Sequence, residues 1–461
     1  MDIPPQIELL DGFDGYIDVM DINQPIPVTM EQITGDNPPA FVSLIVKNHS
    51  PKLQNLDDYL INGNFPQNLI DLNCDNNLLT FIPLLPEETE FLSCNSNLIS
   101  NFTSLPGSLQ YIYCNNNQLS LLPEELPEEL VILSCKRNKL VSLPRLDNLE
   151  NLMNLECSHN QLTVLPNLPV NGLITLNCSN NRLQGLPNLP ENLRELNCYK
   201  NTIFGLPDLP PNLKKLNCSL NQINSFPILP NSIEKLNISN NPIIGSIANI
   251  NLPSALKKYY CHNCQITDLP INLPPLLEDF KCDNNVINNL PAVLPNGLKR
   301  FNCSNNKLTV LPNLPDSLKE LYCKGNNFDD ESINKIVAFY QRAIDNGFPE
   351  TSPTFQEELD YFQIHRSKTF INTFDQTPQG PKGQFITNKQ RLKLKSNPIP
   401  GRAMRKIMAY GNLPYPPTNN KSNNNPLGGK TRKKKSYKLY NEVRNKVSKR
   451  RASRRKKSLK K

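Results

Sequence analysis

Thirteen cysteines and four histidines are the residues of this 461-residue chain best suited to chemistry. One cluster invites it: Cys261-His262-Asn263-Cys264 is a Cys-x-x-Cys with a histidine inside, a spacing suited to a pair of zinc ligands or a redox couple. A structural zinc site needs four ligands, and no second Cys-x-x-Cys accompanies this one. His49, His159, His262 and His365 fall in separate segments. No Gly-rich phosphate loop of the dinucleotide or Walker type occurs. With no nucleophile beside a base and no ligand set, the chain reads as non-enzymatic, without catalytic residue, metal, cofactor or small-molecule substrate.

The spacing of the cysteines says more than the pair does. Cys74, Cys94, Cys114, Cys135, Cys157, Cys178, Cys198, Cys218, Cys261, Cys282, Cys303 and Cys323 mark a unit of 20 to 23 residues, with Ile238 filling the gap after Cys218. Three residues after the markers stand Asn77, Asn97, Asn117, Asn138, Asn160, Asn181, Asn201, Asn221, Asn241, Asn285, Asn306 and Asn326; Cys264 takes that slot after Cys261. Apolar residues sit two before the marker (Leu72, Leu92, Ile112) and five after it (Leu79, Ile99, Leu119). Most units continue as Leu-Pro, often Leu-Pro-x-Leu-Pro, as at Leu186–Pro190. Cys261 and Cys264 are therefore a marker and a ladder residue, small buried hydrophobes rather than ligands.

The unit L-x-x-L-x-C-x-x-N-x-L-x-x-L-P-x-L-P resembles the leucine-rich repeat family, and within it the short, proline-rich, bacterial-effector-like subclass. The asparagine-rich, cysteine-marked composition is also similar to uncharacterised leucine-rich repeat proteins of giant DNA viruses. The resemblance implies an α/β fold, a right-handed solenoid with parallel strands on its concave face. Some effectors of this kind carry a C-terminal ubiquitin ligase with a catalytic cysteine; no cysteine follows Cys323, so that activity is not expected here.

The repeat chemistry agrees. Leu-x-Cys has the period of a strand, so Leu72 and Cys74 should point inward while Asp71, Asn73 and Asp75 point outward. Strands this short bury a core only by stacking. The asparagine amide donates and accepts, so it should satisfy backbone groups of its own unit and the next. Leu-Pro runs favour extended or polyproline II backbone on the convex side.

Five segments follow. Residues 1–65 read as an acidic N-terminal cap with a degenerate first repeat, Phe41-x-x-Leu44-x-Val46-x-x-His49. Residues 66–328 hold thirteen repeats. In 329–375, Ile333, Ile336, Val337, Tyr340 and Ile344 at helical spacing behind Asp329-Asp330-Glu331 predict a helical C-cap, with a second short helix from Thr354 carrying Phe355, Leu359 and Phe362. Residues 376–429 are a Pro/Asn-rich linker, and 430–461 a basic tail too polar to fold alone. Residues 376–461 carry 26 Lys+Arg and one acid, +25, whereas 1–375 carry 24 Lys+Arg and 41 Asp+Glu, −17.

This charge split points to two binding surfaces. On the repeats, the outward strand residues form columns. Phe91, Tyr111 and Tyr113 mark the N-terminal end, and Lys258, Tyr260, His262, Lys281, Arg300, Tyr322 and Lys324 the C-terminal end, with Asp279, Asp283 and Glu320 interleaved. Between them runs a uniform column, Asn177, Asn197, Asn217 and Asn237, that looks bland. Aromatics with Arg or Lys favour a protein partner on the concave face. In the tail, Arg432, Lys433, Lys434, Lys435, Lys449, Arg450, Arg451, Arg454, Arg455, Lys456 and Lys457 would attract nucleic acid, an anionic membrane surface or import machinery. The alternative to a protein-interaction scaffold is thus a nucleic-acid-binding or packaging protein. No run of 18 apolar residues predicts a transmembrane segment, no secretory signal is expected from Met1–Pro5, and a column of thiols suits a reducing, intracellular compartment.

Overall fold

The computed structural model describes residues 7–9, 42–345 and 358–362, all within the first of two compact units, Met1–Thr377; the second is Pro378–Lys461. The basic tail and its named residues, the linker, His365, and Thr354 and Phe355 lie outside the described residues.

Leu-x-Cys produces what its period demands. Each repeat contributes a three-residue strand, from Phe91–Ser93 to Glu320–Tyr322, after a longer first one at Leu69–Asn73. Leu72 pairs with Leu92, Leu92 with Ile112 and Ile112 with Leu133, so like positions stack on like. The result is a sheet of 15 strands in chain order, all parallel but the first. The marker extends the ladder beyond the strand: Cys94 N–H donates to Tyr113 C=O at 2.8 Å. Every marker side chain is buried, and Ile238 substitutes for the missing thiol. At the C-terminal end the leucine column becomes Tyr259, Phe280 and Phe301, stacked with centroids 5.5 Å apart at each step.

Val42–Ile45 pairs in parallel with Leu69–Asn73, and Val46 occupies a marker position, donating its N–H to Asn73 C=O at 2.8 Å. An unforeseen strand, Ile7–Leu9, then closes this edge antiparallel. At the other edge lies the helix Asp330–Asp345. Asp329 caps it, its Oδ1 accepting Ser332 N–H at 2.8 Å. The helix buries Ile333, Ile336 and Tyr340 as its spacing implied, and Phe339 and Ala343 too. A short helical turn at 358–362 adds buried Leu359 and Phe362.

The convex side departs in part from the expected extended chain. The second proline of the Leu-Pro-x-Leu-Pro run opens a turn: Leu193 N–H donates to Pro190 C=O and Leu213 N–H to Pro210 C=O, both at 3.1 Å. These turns return the chain to its next strand. Where Ile-Ile-Gly-Ser replaces the prolines, restored N–H donors allow a second small sheet, Gly245–Ser246 beside Ile266–Asp268.

Candidate interaction face

The ladder asparagines hold the strands at fixed spacing. Asn97 Nδ2 donates to Cys94 C=O at 3.1 Å and to Cys74 C=O at 3.0 Å, while its Oδ1 accepts Leu79 N–H at 3.0 Å. The unit satisfied besides its own is thus the preceding one, not the next, because the side chain reaches back along the stack. The set recurs at Asn326, which bonds Cys303 C=O, Cys323 C=O and Leu308 N–H. Cys264 keeps the logic with sulfur: its Sγ lies 3.4 Å from Ile238 C=O and 3.3 Å from His262 C=O. Cys261 points into the core, so the Cys-x-x-Cys pair is divided between two structural roles. Burial pushes the Cys264 thiol up to about 11 and the Cys135 and Cys198 thiols up to about 12, which leaves them protonated and poorly nucleophilic. Half-burial holds His262 below the usual imidazole value.

With the ladder and markers turned inward, the alternate strand positions face out. At the N-terminal end Phe91 packs against Tyr113 at 5.7 Å and Tyr111 at 6.3 Å between ring centroids. Phe91 and Tyr113 are half-buried, but Tyr111 is buried and offers little to a partner. Its strand register explains this: Ile132 on the next strand covers one side of it and Phe91 the other.

At the C-terminal end the polar residues bind one another. Asp279, expected among the outward residues, is buried. It accepts Tyr260 Oη–H at 2.8 Å, Arg300 Nε–H at 3.1 Å and Arg300 Nη2 at 3.0 Å. Burial and this carboxylate push the Tyr260 phenol upward. Lys281 lies over the Tyr260 ring, 5.1 Å from its centroid. Lys324 is not a free cation of the face: its Nζ pairs with Glu358 Oε1 at 3.2 Å and sits 5.9 Å from the Tyr361 ring centroid, both from the terminal turn. Tyr322, His262 and Lys258 are half-buried and Arg300 is exposed.

The middle is a shallow groove running from Glu156 to Tyr260 across the strands. Here the asparagine column is more than filler. Asn177, Asn197, Asn217 and Asn237 each turn Oδ1 onto the backbone N–H two residues ahead, at 3.2–3.3 Å. Residue type could have revealed this, since asparagine readily accepts the backbone N–H two residues on in an Asx-turn; repetition made it look like compositional bias.

Parallel strands, a marker column and an amide ladder define a repeat solenoid of stacked short units. No family model matches the chain, and no curated protein matches it either. Solved structures do match. YopM from Yersinia enterocolitica is 34% identical with a TM-score of 0.52, over 58% of this chain and 62% of that one. YopM from Yersinia pestis, described as a leucine-rich effector protein, is 33% identical with a TM-score of 0.50, over 58% of this chain and 81% of that one. The functional domain of InlJ from Listeria monocytogenes is 26% identical with a TM-score of 0.50, over 56% and 59%, and is described as including a cysteine ladder. The chain belongs to the leucine-rich repeat family. It spans less than two thirds of the first of these structures, 62%.

Proposed function

We propose that the chain is a non-enzymatic protein-interaction scaffold that holds a protein partner on the concave face of its sheet. The observation that supports this best is the register: each outward position is repeated on every strand, which yields a long face with aromatic, amide and basic sectors in fixed order. Curved solenoids use such faces for binding, and Tyr, Phe and Arg are the usual anchors. Similarity to an effector protein supports the same reading and the short, proline-rich subclass; compositional likeness to giant-virus proteins supports a viral source. An intracellular, reducing compartment suits the thirteen thiols, all free.

The test is capture from a nuclease-treated lysate by the full chain and by a Tyr113→Ala/Tyr322→Ala variant of unchanged circular dichroism. A partner lost from the variant supports the concave face. A partner held equally by both would place binding elsewhere.

A second reading rests on the +25 of residues 376–461: nucleic-acid binding or packaging by the tail. It predicts a mobility shift that weakens steeply with salt and disappears when 430–461 is deleted. A salt-insensitive shift, or one kept by the truncated chain, refutes it. No base-reading element accompanies the charge in the sequence, so binding by this route would be sequence-independent.

A further inference from the structure

We infer that the middle of the concave face is a carboxylate-binding groove whose occupant is an acidic, extended segment of a partner protein; this rests on the concave-face reading above. Two columns of side chains carry it.

The first is the asparagine column. Asn197, Asn217 and Asn237 use Oδ1 to accept the N–H of Tyr199, Ser219 and Ser239. A backbone N–H can only donate, so the oxygen must face it and the amide NH2 must face the groove. Among the described residues these three Nδ2 atoms have no hydrogen-bond acceptor. The rung before them shows which ligand they suit: Asn177 Nδ2 donates to the Glu156 carboxylate at 3.0 Å.

The second column is Lys215, Lys235 and Lys258, paired in register on successive strands. Three ammonium groups so placed repel one another. Lys215 is answered by Glu195. Lys235 and Lys258 make no ion pair among the described residues. Nearby carboxylates are directed elsewhere: Glu234 feels the charge of Lys235 but pairs with Lys257 at 2.9 Å and Lys214 at 3.9 Å, and Asp279 binds Tyr260 and Arg300. Each column therefore begins with its own carboxylate and continues as open rungs. The residues of the two columns, with Glu156 and Glu195, line one groove.

The open stretch covers four strands at ~4.8 Å, about 14 Å, the length of four or five extended residues at ~3.3 Å each. A single nucleic-acid strand fits it less well. Tyr260, at the C-terminal end, is the one aromatic side chain among the residues lining the groove, and its ring already carries Lys281, which leaves bases no series of stacking platforms.

The test uses the full chain and a fluorescent ten-residue oligoglutamate peptide coupled by carbodiimide, which joins carboxylates to lysine amines. Mass spectrometry then identifies the lysines joined. Lys235 and Lys258 should couple well above exposed Lys307 and Lys319. Asn217→Asp with Asn237→Asp retains the Oδ1 contact while replacing donors by charge. This variant should lower coupling at Lys235 and Lys258 about tenfold and leave tail adducts unchanged. Coupling confined to the tail, equal coupling at Lys319, or indifference to the Asp variant would overturn the inference. Better protection of Lys235 and Lys258 by oligothymidylate than by the peptide would overturn its protein class. A partner captured through Tyr113 and Tyr322 while the groove fails these tests would sink the acidic class alone; a partner held equally by the full chain and the Tyr113→Ala/Tyr322→Ala variant, with a working groove, would sink the scaffold reading instead.

Discussion

Asn221 shows how much one side chain does in this fold. It is buried and donates to Cys198 C=O at 3.0 Å and Cys218 C=O at 2.9 Å while accepting Ile203 N–H at 3.1 Å. Asn221→Ala leaves those backbone groups without a partner and should cost about 1–3 kcal/mol in urea denaturation; a negligible loss would mean that water replaces the amide freely. From sequence, a terminal rung should be cheaper. Asn326 makes the same three bonds but is only half-buried, so water can reach the groups it leaves and its loss should cost less than that of Asn221. The residue two after the marker tells the opposite story. It is left-handed throughout, with φ of 53–58° at Asn76, Arg137, Lys200, Leu220 and Asn305 and 68° at Gly325. Leucine tolerates that conformation poorly, so Leu220→Asn should stabilise by up to about 1 kcal/mol. An unchanged or lower midpoint would show that the exposed Leu220 side chain compensates. The ladder was legible because its residue type is nearly invariant along the chain. The left-handed column was not, because arginine, lysine, histidine and leucine interrupt its asparagines.

At the scale of the element, the cysteine column is the feature most open to measurement. Burial raises every marker thiol, with Cys135 and Cys198 reaching about 12 from an ordinary 9.0. Below pH 9 the thiols are protonated in both folded and unfolded chains, so stability does not depend on them. Above it the unfolded chain ionises first, and each buried thiol removes about 1.4 kcal/mol per pH unit until its folded value is passed. The urea midpoint should therefore fall steeply from pH 9 to pH 10, and a thiol reagent should label the chain only on unfolding. A flat midpoint would contradict the burial. The C-terminal helix was readable from its spacing and from Asp329, because both are local signals. The strand Ile7–Leu9 was not, since three residues have no period and its partner is 33 or more positions away. The proline turns were hidden for another reason: Leu-Pro favours extended backbone locally, and only the need to re-enter the sheet selects the turn at the second proline.

For the whole molecule, side chains become a surface only when strands stack in register. From sequence, Tyr111, Asp279 and Lys324 fall on outward positions. What the sequence could not carry was the neighbour: Ile132 beside Tyr111, Arg300 over Asp279, Glu358 beneath Lys324. The same stacking turns a uniform asparagine run into aligned donors. Charge divides along the chain, −17 in 1–375 and +25 beyond. The most direct measurement is site-specific photo-crosslinking in a nuclease-treated lysate. A benzophenone amino acid would be placed in the full chain at Thr175, on the groove, or at Ile228, 93% exposed outside it. A discrete protein adduct from position 175 and none from 228 is the result expected of a concave-face scaffold. Adducts from 228 alone, or the same adducts from both, would contradict it.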